Sequence, residues 1–283
     1  MSGTKSRKIA LVTGGNQGLG LALVRGLCRA LGEGGTVYLG ARNDERGRAA
    51  CDLLRDEGLR PELTAIDVGD DGSVKAAADA LGARHGGIDV VISNAAQRIS
   101  KDVPAADQVA AFVNTNNHGT RRMIRTFVPL LRDNARFVVV ASSFGTLRNL
   151  DGRLHPKFHG RDLTLDGVEQ AMDEYVEAVR SGGAAAAGWP DWINIPSKIG
   201  QVAAVRVLAR DGEAEFRRRG ILVNAACPGL VDTDASRPWF DDMSKAASPD
   251  EAARDLIWLA TLPPAAAEPY GELVRNRRLL PWQ

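Results

Sequence analysis

The chain has 283 residues, with 36 Lys and Arg against 35 Asp and Glu, a formal net charge of +1 and 44% hydrophobic residues. This balance excludes a disordered chain and a nucleic-acid binder that relies on a basic surface. At roughly 100–200 residues per domain, the length allows one large domain or two small ones, and it is enough to bury a sizeable core.

The cysteines and the N-terminal residues indicate the cellular compartment in which the protein is expected. Cys28, Cys51 and Cys227 form no CxxC pair and lie near no histidine cluster, which argues against a disulfide framework and a metal site. Residues 1–8 lack the apolar segment of a signal peptide, and no apolar run approaches the roughly 18 residues that span a bilayer. We therefore expect a cytoplasmic protein without membrane association, and the Ala, Gly and Arg content suggests a bacterial source.

Short β-branched runs alternate with longer segments of helical period. The predicted strands lie near Ile9–Thr13, Thr36–Leu39, Glu62–Ile66, Val90–Ser93, Arg136–Val140, Ile221–Ala226 and Glu272–Val274. The predicted helices lie near Gly18–Leu31, Asp44–Glu57, Asp70–His85, Asp107–Leu131, Asn194–Arg219 and Ser248–Leu259. This order predicts a doubly wound α/β fold of the Rossmann type, a parallel sheet of about seven strands in a single domain over residues 1–283.

One segment departs from this alternation. Residues 148–190 show no strand pattern and only one helical stretch, near Val168 to Val179. A loop of this length in a compact domain is usually either functional or wrongly assigned. We expect a helical insertion here.

A glycine-rich turn follows the first predicted strand and opens the first predicted helix. It holds Gly14, Asn16, Gln17, Gly18, Leu19 and Gly20. Glycines let the backbone approach a phosphate, and the helix N-terminus offers free N–H groups and a favourable dipole. Because the turn lies between a strand and a helix, it predicts a dinucleotide site.

The end of the second strand discriminates between the two nicotinamide cofactors. An acid there binds the ribose 2′-OH of NAD, whereas an arginine accommodates the 2′-phosphate of NADP. No acid precedes Arg42, and Arg46 follows it. The sequence therefore predicts NADP(H), with Arg42 as the main contact and Arg46 as the second.

Two further segments fall at the carboxyl edge of the predicted sheet, where open α/β sheets bind ligands. Asp67 and Val68 follow the third strand and are expected near the adenine. Asn94 and Ala95 follow the fourth strand. These residues are expected to share one crevice with the glycine-rich turn.

Several motifs along the whole chain occur in a characteristic order. They are the turn from Thr13 to Gly20, Asn94-Ala95-Ala96, Asn116, Ser142-Ser143, Gly188-Trp189-Pro190, Lys198-Ile199-Gly200 and Ala226 to Gly229. With these motifs the chain resembles the short-chain dehydrogenases/reductases, and among them the monomeric NADPH-dependent carbonyl reductases. The resemblance implies a Rossmann-type reductase whose insertion covers the face that other members use to oligomerise, and hence a monomer.

The resemblance also implies a catalytic Asn, Ser, Tyr and Lys, the last two spaced as Tyr-x-x-x-Lys. In this chain the four positions hold Asn116, Ser143, Asn194 and Lys198, so an asparagine replaces the catalytic tyrosine. Asparagine donates hydrogen bonds but no proton at neutral pH. No realignment restores the motif, because the chain's tyrosines are followed four residues later by Arg42, Val179 and Val274.

The same resemblance extends the site toward the C-terminus. Lys198 is expected to bond the nicotinamide ribose, and the cofactor contacts continue through Pro228, Gly229, Val231 and Thr233. Residues 230–247 are expected to form a substrate loop. The aromatic side chains expected to wall a fairly large apolar substrate pocket are Trp189, Trp192 and Trp239.

Three functions remain open on this sequence. The first is an NADP(H)-dependent reductase that acts on a carbonyl and takes its proton from a water near Lys198 or from His155 or His159. Alternatively its substrate needs no acid, as in hydride addition to an iminium or an enone. The second is a cyclase, dehydratase or isomerase that leaves the cofactor's oxidation state unchanged. The third is an NADP(H)-binding module without catalysis. Each takes a small-molecule ligand and no metal.

Overall fold

Strands of alternating pattern build the centre of the molecule. The computed structural model describes residues 7–283. Its strands are β1 (Lys8–Thr13), β2 (Gly35–Ala41), β3 (Glu62–Ala65), β4 (Ile88–Ser93), β5 (Leu131–Val140), β6 (Leu222–Ala226), β7 (Leu273–Arg275) and β8 (Arg278–Leu280). They form one sheet in the order β3-β2-β1-β4-β5-β6-β7-β8, in which the first seven are parallel and β8 runs antiparallel to β7.

This sheet confirms the predicted doubly wound α/β fold and its seven parallel strands. The eighth strand was missed because it is only three residues long and its first two residues are exposed, so it carries no alternating pattern. Alternate residues of each strand face opposite layers of helices: Ile9 and Leu11 pack on one face, and Ala10 and Val12 on the other.

Helices cover both faces of the sheet. They are α1 (Gly18–Leu31), α2 (Asp44–Asp56), α3 (Asp71–His85), α4 (Ala105–Val113), α5 (Gly119–Phe127), α6 (Leu165–Arg180), α7 (Asn194–Arg219) and α8 (Pro249–Ala260). Ser248 caps α8 in a reciprocal hydrogen-bonded box with Glu251, as that sequence indicates. Within residues 7–283, no helix combines the length and the apolar character needed to cross a membrane.

A single helix was predicted over Asp107–Leu131. This prediction is wrong at the C-terminal end, and it missed a distortion in the middle of the helix. The helix consists of α4, a π-helical turn at Asn114–His118, and α5. Pro129 then lies in a short 3₁₀ turn, Val128–Leu130, because proline cannot donate the next helical hydrogen bond. Leu131 already begins β5.

The insertion predicted between the fifth strand and the long helix contains short 3₁₀ turns and then α6. This helix extends beyond the predicted Val168 to Val179 at both ends and packs against α4 and α7. Beneath it, the ring of Trp189 lies 4.9 Å from that of Tyr175 and 6.0 Å from that of Phe158. These rings form the aromatic part of the core that the insertion shares with one face of the sheet.

The last residues of the chain fasten this insertion to the sheet. Trp282 is buried, its carbonyl oxygen accepts a 2.8 Å hydrogen bond from the N–H of Leu147, and its indole Nε1 donates to Nδ1 of His159 at 3.2 Å. The guanidinium of Arg206 lies 5.6 Å from the centre of the indole ring.

We expect Trp189→Ala to lower the free energy of unfolding by about 3–5 kcal/mol, the usual cost of emptying a large aromatic site in a core. The side chain of Trp189 is only 5% exposed and is surrounded by the insertion's aromatic rings. Denaturant unfolding of the variant measures the loss, and Trp239→Ala, in a half-buried position on the loop, is the matched control. Equal destabilisation by both substitutions would contradict the core assignment.

Candidate active site

The glycine-rich turn has the backbone conformation that a phosphate-binding turn requires. Gly14 and Gly18 have φ angles of +64° and +52°, which favour glycine. A Cβ on Gly20 would lie 2.0 Å from the carbonyl oxygen of Gly14, so only glycine fits there. No side chain caps the N-terminus of α1, which leaves its N–H groups free for a ligand.

The ends of β1 and β4 are joined beside this turn. Oγ1 of Thr13 accepts hydrogen bonds from the backbone N–H groups of Asn94 and Ala95, both at 3.0 Å. Nδ2 of Asn94 donates to the carbonyl oxygen of Thr13 at 3.0 Å. The asparagine predicted at the cofactor site therefore also fixes the shape of the crevice.

A crevice at the carboxyl edge of the sheet brings the predicted cofactor residues together. Those that line it are Gly14, Asn16, Gln17, Gly18, Leu19, Gly20, Arg42, Arg46, Asp67, Val68, Asn94, Ala95 and Thr233. Within residues 7–283, the side chains of Arg42 and Arg46 form no ion pair or hydrogen bond, so both cations remain available to a phosphate. These features fit a dinucleotide with an added phosphate on its ribose.

Asn116 lies in the π-helical turn between α4 and α5, a kind of distortion that is frequent at functional sites. Its Oδ1 accepts a 2.8 Å hydrogen bond from the N–H of Gln97 and so supports the loop after β4. Its carbonyl oxygen accepts from Oγ1 of Thr120 at 2.6 Å and from Nε2 of Gln201 at 3.1 Å. Asn116 therefore supports the site by fixing the backbone of the loop after β4.

Lys198 projects from the second turn of α7 toward the end of β5. Its Nζ donates to Oε1 of Gln201 at 2.7 Å and to the carbonyl oxygen of Val140 at 3.2 Å. Burial lowers the pKa of Lys198 to about 8, against an opposing electrostatic contribution from Cys227. The ammonium is therefore a markedly stronger acid than an ordinary lysine.

A second cavity, of about 440 Å³, lies beside the cofactor crevice and has the size of a small-molecule site. The predicted residues that line it are Ser143, Asn194, Lys198, Pro228, Gly229, Val231, Thr233, Trp192 and Trp239. Both cavities are lined by Leu19, Asn94, Ala96, Thr233 and Ala235, so they form one continuous site. Asn194 thus lies in the same cavity as Ser143 and Lys198.

Four residues considered for this site lie outside the lining of both cavities: Asn116, described above, and Trp189, His155 and His159. Trp189 belongs to the core of the insertion. Nε2 of His155 lies 3.0 Å from the carbonyl oxygens of Leu147 and Leu150, and His159 receives the indole N–H of Trp282. Neither histidine is placed to protonate a substrate in this cavity.

Aromatic rings form one wall of the cavity. The rings of Trp192 and Trp239 lie 5.7 Å apart, and that of Phe144 meets Trp192 edge-on at 5.1 Å. Trp239 belongs to the loop 230–247, whose fold is held by Ser236 and by Arg237, which pairs with Asp232 and Asp234. The loop thus supplies an apolar surface with a well-paired polar outer side.

Among the residues that were not predicted at the site are Gln201 and Arg275. Gln201 is buried and joins Lys198 to Asn116; its place three residues after the lysine on one helix was the available signal. Arg275, at the end of β7, lines the second cavity, and its position at the carboxyl end of a strand was the only signal. No group of residues within 7–283 is arranged to hold a metal ion.

Comparisons with known proteins agree with this architecture. Residues 8–152 match the short chain dehydrogenase family. The chain is 37% identical to mouse carbonyl reductase [NADPH] 1, over 99% of this chain and 100% of the relative, and 36% identical to human carbonyl reductase [NADPH] 3, over 97% and 98%.

Solved structures share the fold. Salutaridine reductase from Papaver somniferum superposes with a TM-score of 0.80 at 22% identity, covering 94% of this chain and 99% of that one. A short chain dehydrogenase from Burkholderia cenocepacia, solved in complex with NADP, gives a TM-score of 0.65 at 20% identity, covering 96% and 97%.

Proposed function

Because the chain belongs to the short-chain dehydrogenase family, we propose that it is an NADP(H)-dependent oxidoreductase that reduces a carbonyl or enone, with Lys198 in place of the missing tyrosine as proton donor. The observation that carries this proposal is the continuity of the two cavities, which places Ser143, Asn194 and Lys198 beside the dinucleotide crevice. The carbonyl reductase relatives support the reaction class.

The cofactor is assigned to the crevice at the glycine-rich turn. The N–H groups at the start of α1 would hold its diphosphate, and Arg42 and Arg46 its 2′-phosphate. When bound, NADPH supplies the hydride. The residues that line the second cavity then bind and orient the acceptor and manage its developing charge.

Arg42→Ala is expected to weaken NADPH binding about tenfold or more and to leave NADH binding nearly unchanged, because only NADPH has the 2′-phosphate that the guanidinium would pair with. Titration of each cofactor by isothermal calorimetry measures both affinities. Arg48→Ala is the matched control, since Arg48 is an exposed arginine of α2, the helix that follows Arg42, and pairs with Asp44. An equal loss for both cofactors would contradict this role.

Ser143 and Asn194 can stabilise the negative charge that develops on the substrate oxygen. Ser143 begins a 3₁₀ turn after β5, and Asn194 is the first residue of α7. A hydroxyl and an amide N–H both donate to an oxyanion, and such preorganised donors are the usual means of lowering this barrier. Asn194 therefore keeps the hydrogen-bonding part of the tyrosine's role and loses the acidic part.

The proton is assigned to Lys198 by elimination among the lining residues. Lys198 and Arg275 are the two lining residues with Asp, Glu, His, Cys, Tyr, Lys or Arg side chains, and arginine remains protonated in proteins. The pKa of Lys198, about 8, suits a general acid near neutral pH. Its ammonium would release one proton from Nζ to the alkoxide and regain it from solvent.

The absence of a carboxylate also bears on the substrate's charge. An iminium group is a cation, and neither Asp nor Glu lines the cavity within residues 7–283 to balance it. Lys198 and Arg275 would repel such a group. A neutral or anionic acceptor fits this cavity better than an iminium.

The test is NADPH consumption against a panel of aldehydes, ketones, enones and imines. Turnover of carbonyls or enones with consumption of one NADPH per product supports the proposal. Product formed with no change in the cofactor would instead indicate a cyclase, dehydratase or isomerase. Tight NADPH binding without turnover of any compound would indicate a binding module.

We also propose that the protein is a monomer, because α6 occupies the outer face of α4 and α7. Burying that face within one chain removes it from any contact between copies. Sedimentation equilibrium should give the mass of one chain, 30.2 kDa. A dimer that persists on dilution would reject this assignment.

A further inference from the structure

Arg275 brings a second cation to the substrate cavity. It ends β7, next to β6 and the segment that follows it. A Cβ added to Gly229 would lie 3.6 Å from Nη2 of Arg275, and both residues line the cavity. The guanidinium therefore lies at the wall of the cavity, beside the backbone after β6.

This guanidinium has no partner among residues 7–283. Its Nε is shielded from solvent and makes no hydrogen bond, and none of its nitrogens forms an ion pair. Arginines nearby differ: Arg206 pairs with Glu272 at 3.0 Å, and Arg277 with Asp255 at 2.9 Å. A half-buried cation without an acceptor is costly, and an anion that enters the cavity would offset that cost.

The rest of the cavity is suited to an organic anion. Lys198 adds a second positive charge, and no carboxylate of the described chain lines the cavity. Phe144, Trp192 and Trp239 supply an apolar wall. Together these groups match a molecule with an apolar or aromatic body and one negatively charged end.

We propose that Arg275 binds the carboxylate of an aromatic or apolar keto or enone acid, and so sets the substrate class. The planar guanidinium would donate paired N–H hydrogen bonds to the carboxylate. This assignment rests on the proposed function only in taking the second cavity as the substrate site. The sequence predicts an apolar ligand, and this assignment adds that the ligand must also carry a negative charge.

The test compares 2-naphthoate with 2-naphthamide, two ligands of nearly equal shape that differ in charge. Binding is measured by isothermal calorimetry with NADP⁺ present, so no turnover is needed. The wild type should bind the acid about tenfold or more tighter than the amide. Arg275→Gln should abolish this preference, and Arg278→Gln, at an exposed arginine three residues later, should retain it.

Several outcomes would overturn the assignment: equal binding of acid and amide by the wild type, no binding of the acid at all, or a preference that survives Arg275→Gln. A loss of NADP⁺ affinity in Arg275→Gln with the acid preference intact would assign the arginine to the cofactor instead. A melting curve for each variant, together with the conservative variant Arg275→Lys, shows whether a lost preference for the acid reflects misfolding. Failure of the reductase proposal appears separately, as the absence of NADPH turnover.

Discussion

Asn194→Tyr is expected to raise the rate of ketone reduction by up to about 10²-fold, the low end of the contribution of a positioned general acid, because Lys198 already supplies a proton. The variant would place a phenol in the cavity with Ser143, one helical turn before Lys198. The ammonium of Lys198 would favour the ionised phenol and so lower its pKa. NADPH consumption with simple ketones measures the gain.

The matched control for this gain is Asn194→Phe, which adds the same ring without the hydroxyl. Because the phenylalanine fills the same space, a gain limited to the tyrosine variant shows that the proton of the hydroxyl causes it. If the tyrosine and phenylalanine variants reduce ketones equally slowly, the cavity does not hold the carbonyl where this position can reach it. A wild type that already exceeds the tyrosine variant would give Asn194 a chemical role of its own.

The second large effect concerns the pH dependence set by Lys198. Its pKa is lowered to about 8, so the side chain is an ammonium below that pH and a neutral amine above it. As general acid it must be protonated, and kcat/KM for carbonyl reduction should therefore fall as pH rises through about 8. Lys198→Arg keeps the charge but cannot release a proton, and should lose about 10²-fold or more in rate.

Gln201 offers an independent test of this assignment. Gln201→Glu would place a carboxylate against Nζ of Lys198, which favours the ammonium and should move the fall in kcat/KM to higher pH. The readout is the position of the fall, not the level of activity, since the substitution also removes the donor to Asn116. An unmoved profile, or a rate that rises through pH 8, would remove Lys198 as the acid.

The sequence identified the parts of the site that depend on local structure. The turn from Gly14 to Gly20 needs positive φ angles and close backbone contacts, which glycine spacing reveals. Arg42 directly follows β2, so its position alone predicts a contact with the 2′-phosphate. The parallel fold followed from the alternation of strands and helices.

The remaining features depend on contacts between distant parts of the chain. Arg275 reaches the cavity only because β7 lies next to β6, a pairing that composition does not reveal. Trp189 looked like a pocket residue, yet the aromatic rings of Tyr175 and Phe158 enclose it in the insertion. The π-helical turn Asn114–His118 contains no apolar residue, so the hydrophobic pattern alone could not locate it.

The bond between Trp282 and His159 bears on the order in which the chain folds. The two residues are 123 positions apart, so this contact closes a long loop. Contacts of such separation form late, because their entropy cost must be met by a structure already in place. We therefore expect the region 148–190 to become protected from proteases only in the last phase of refolding, after the parallel strands have paired.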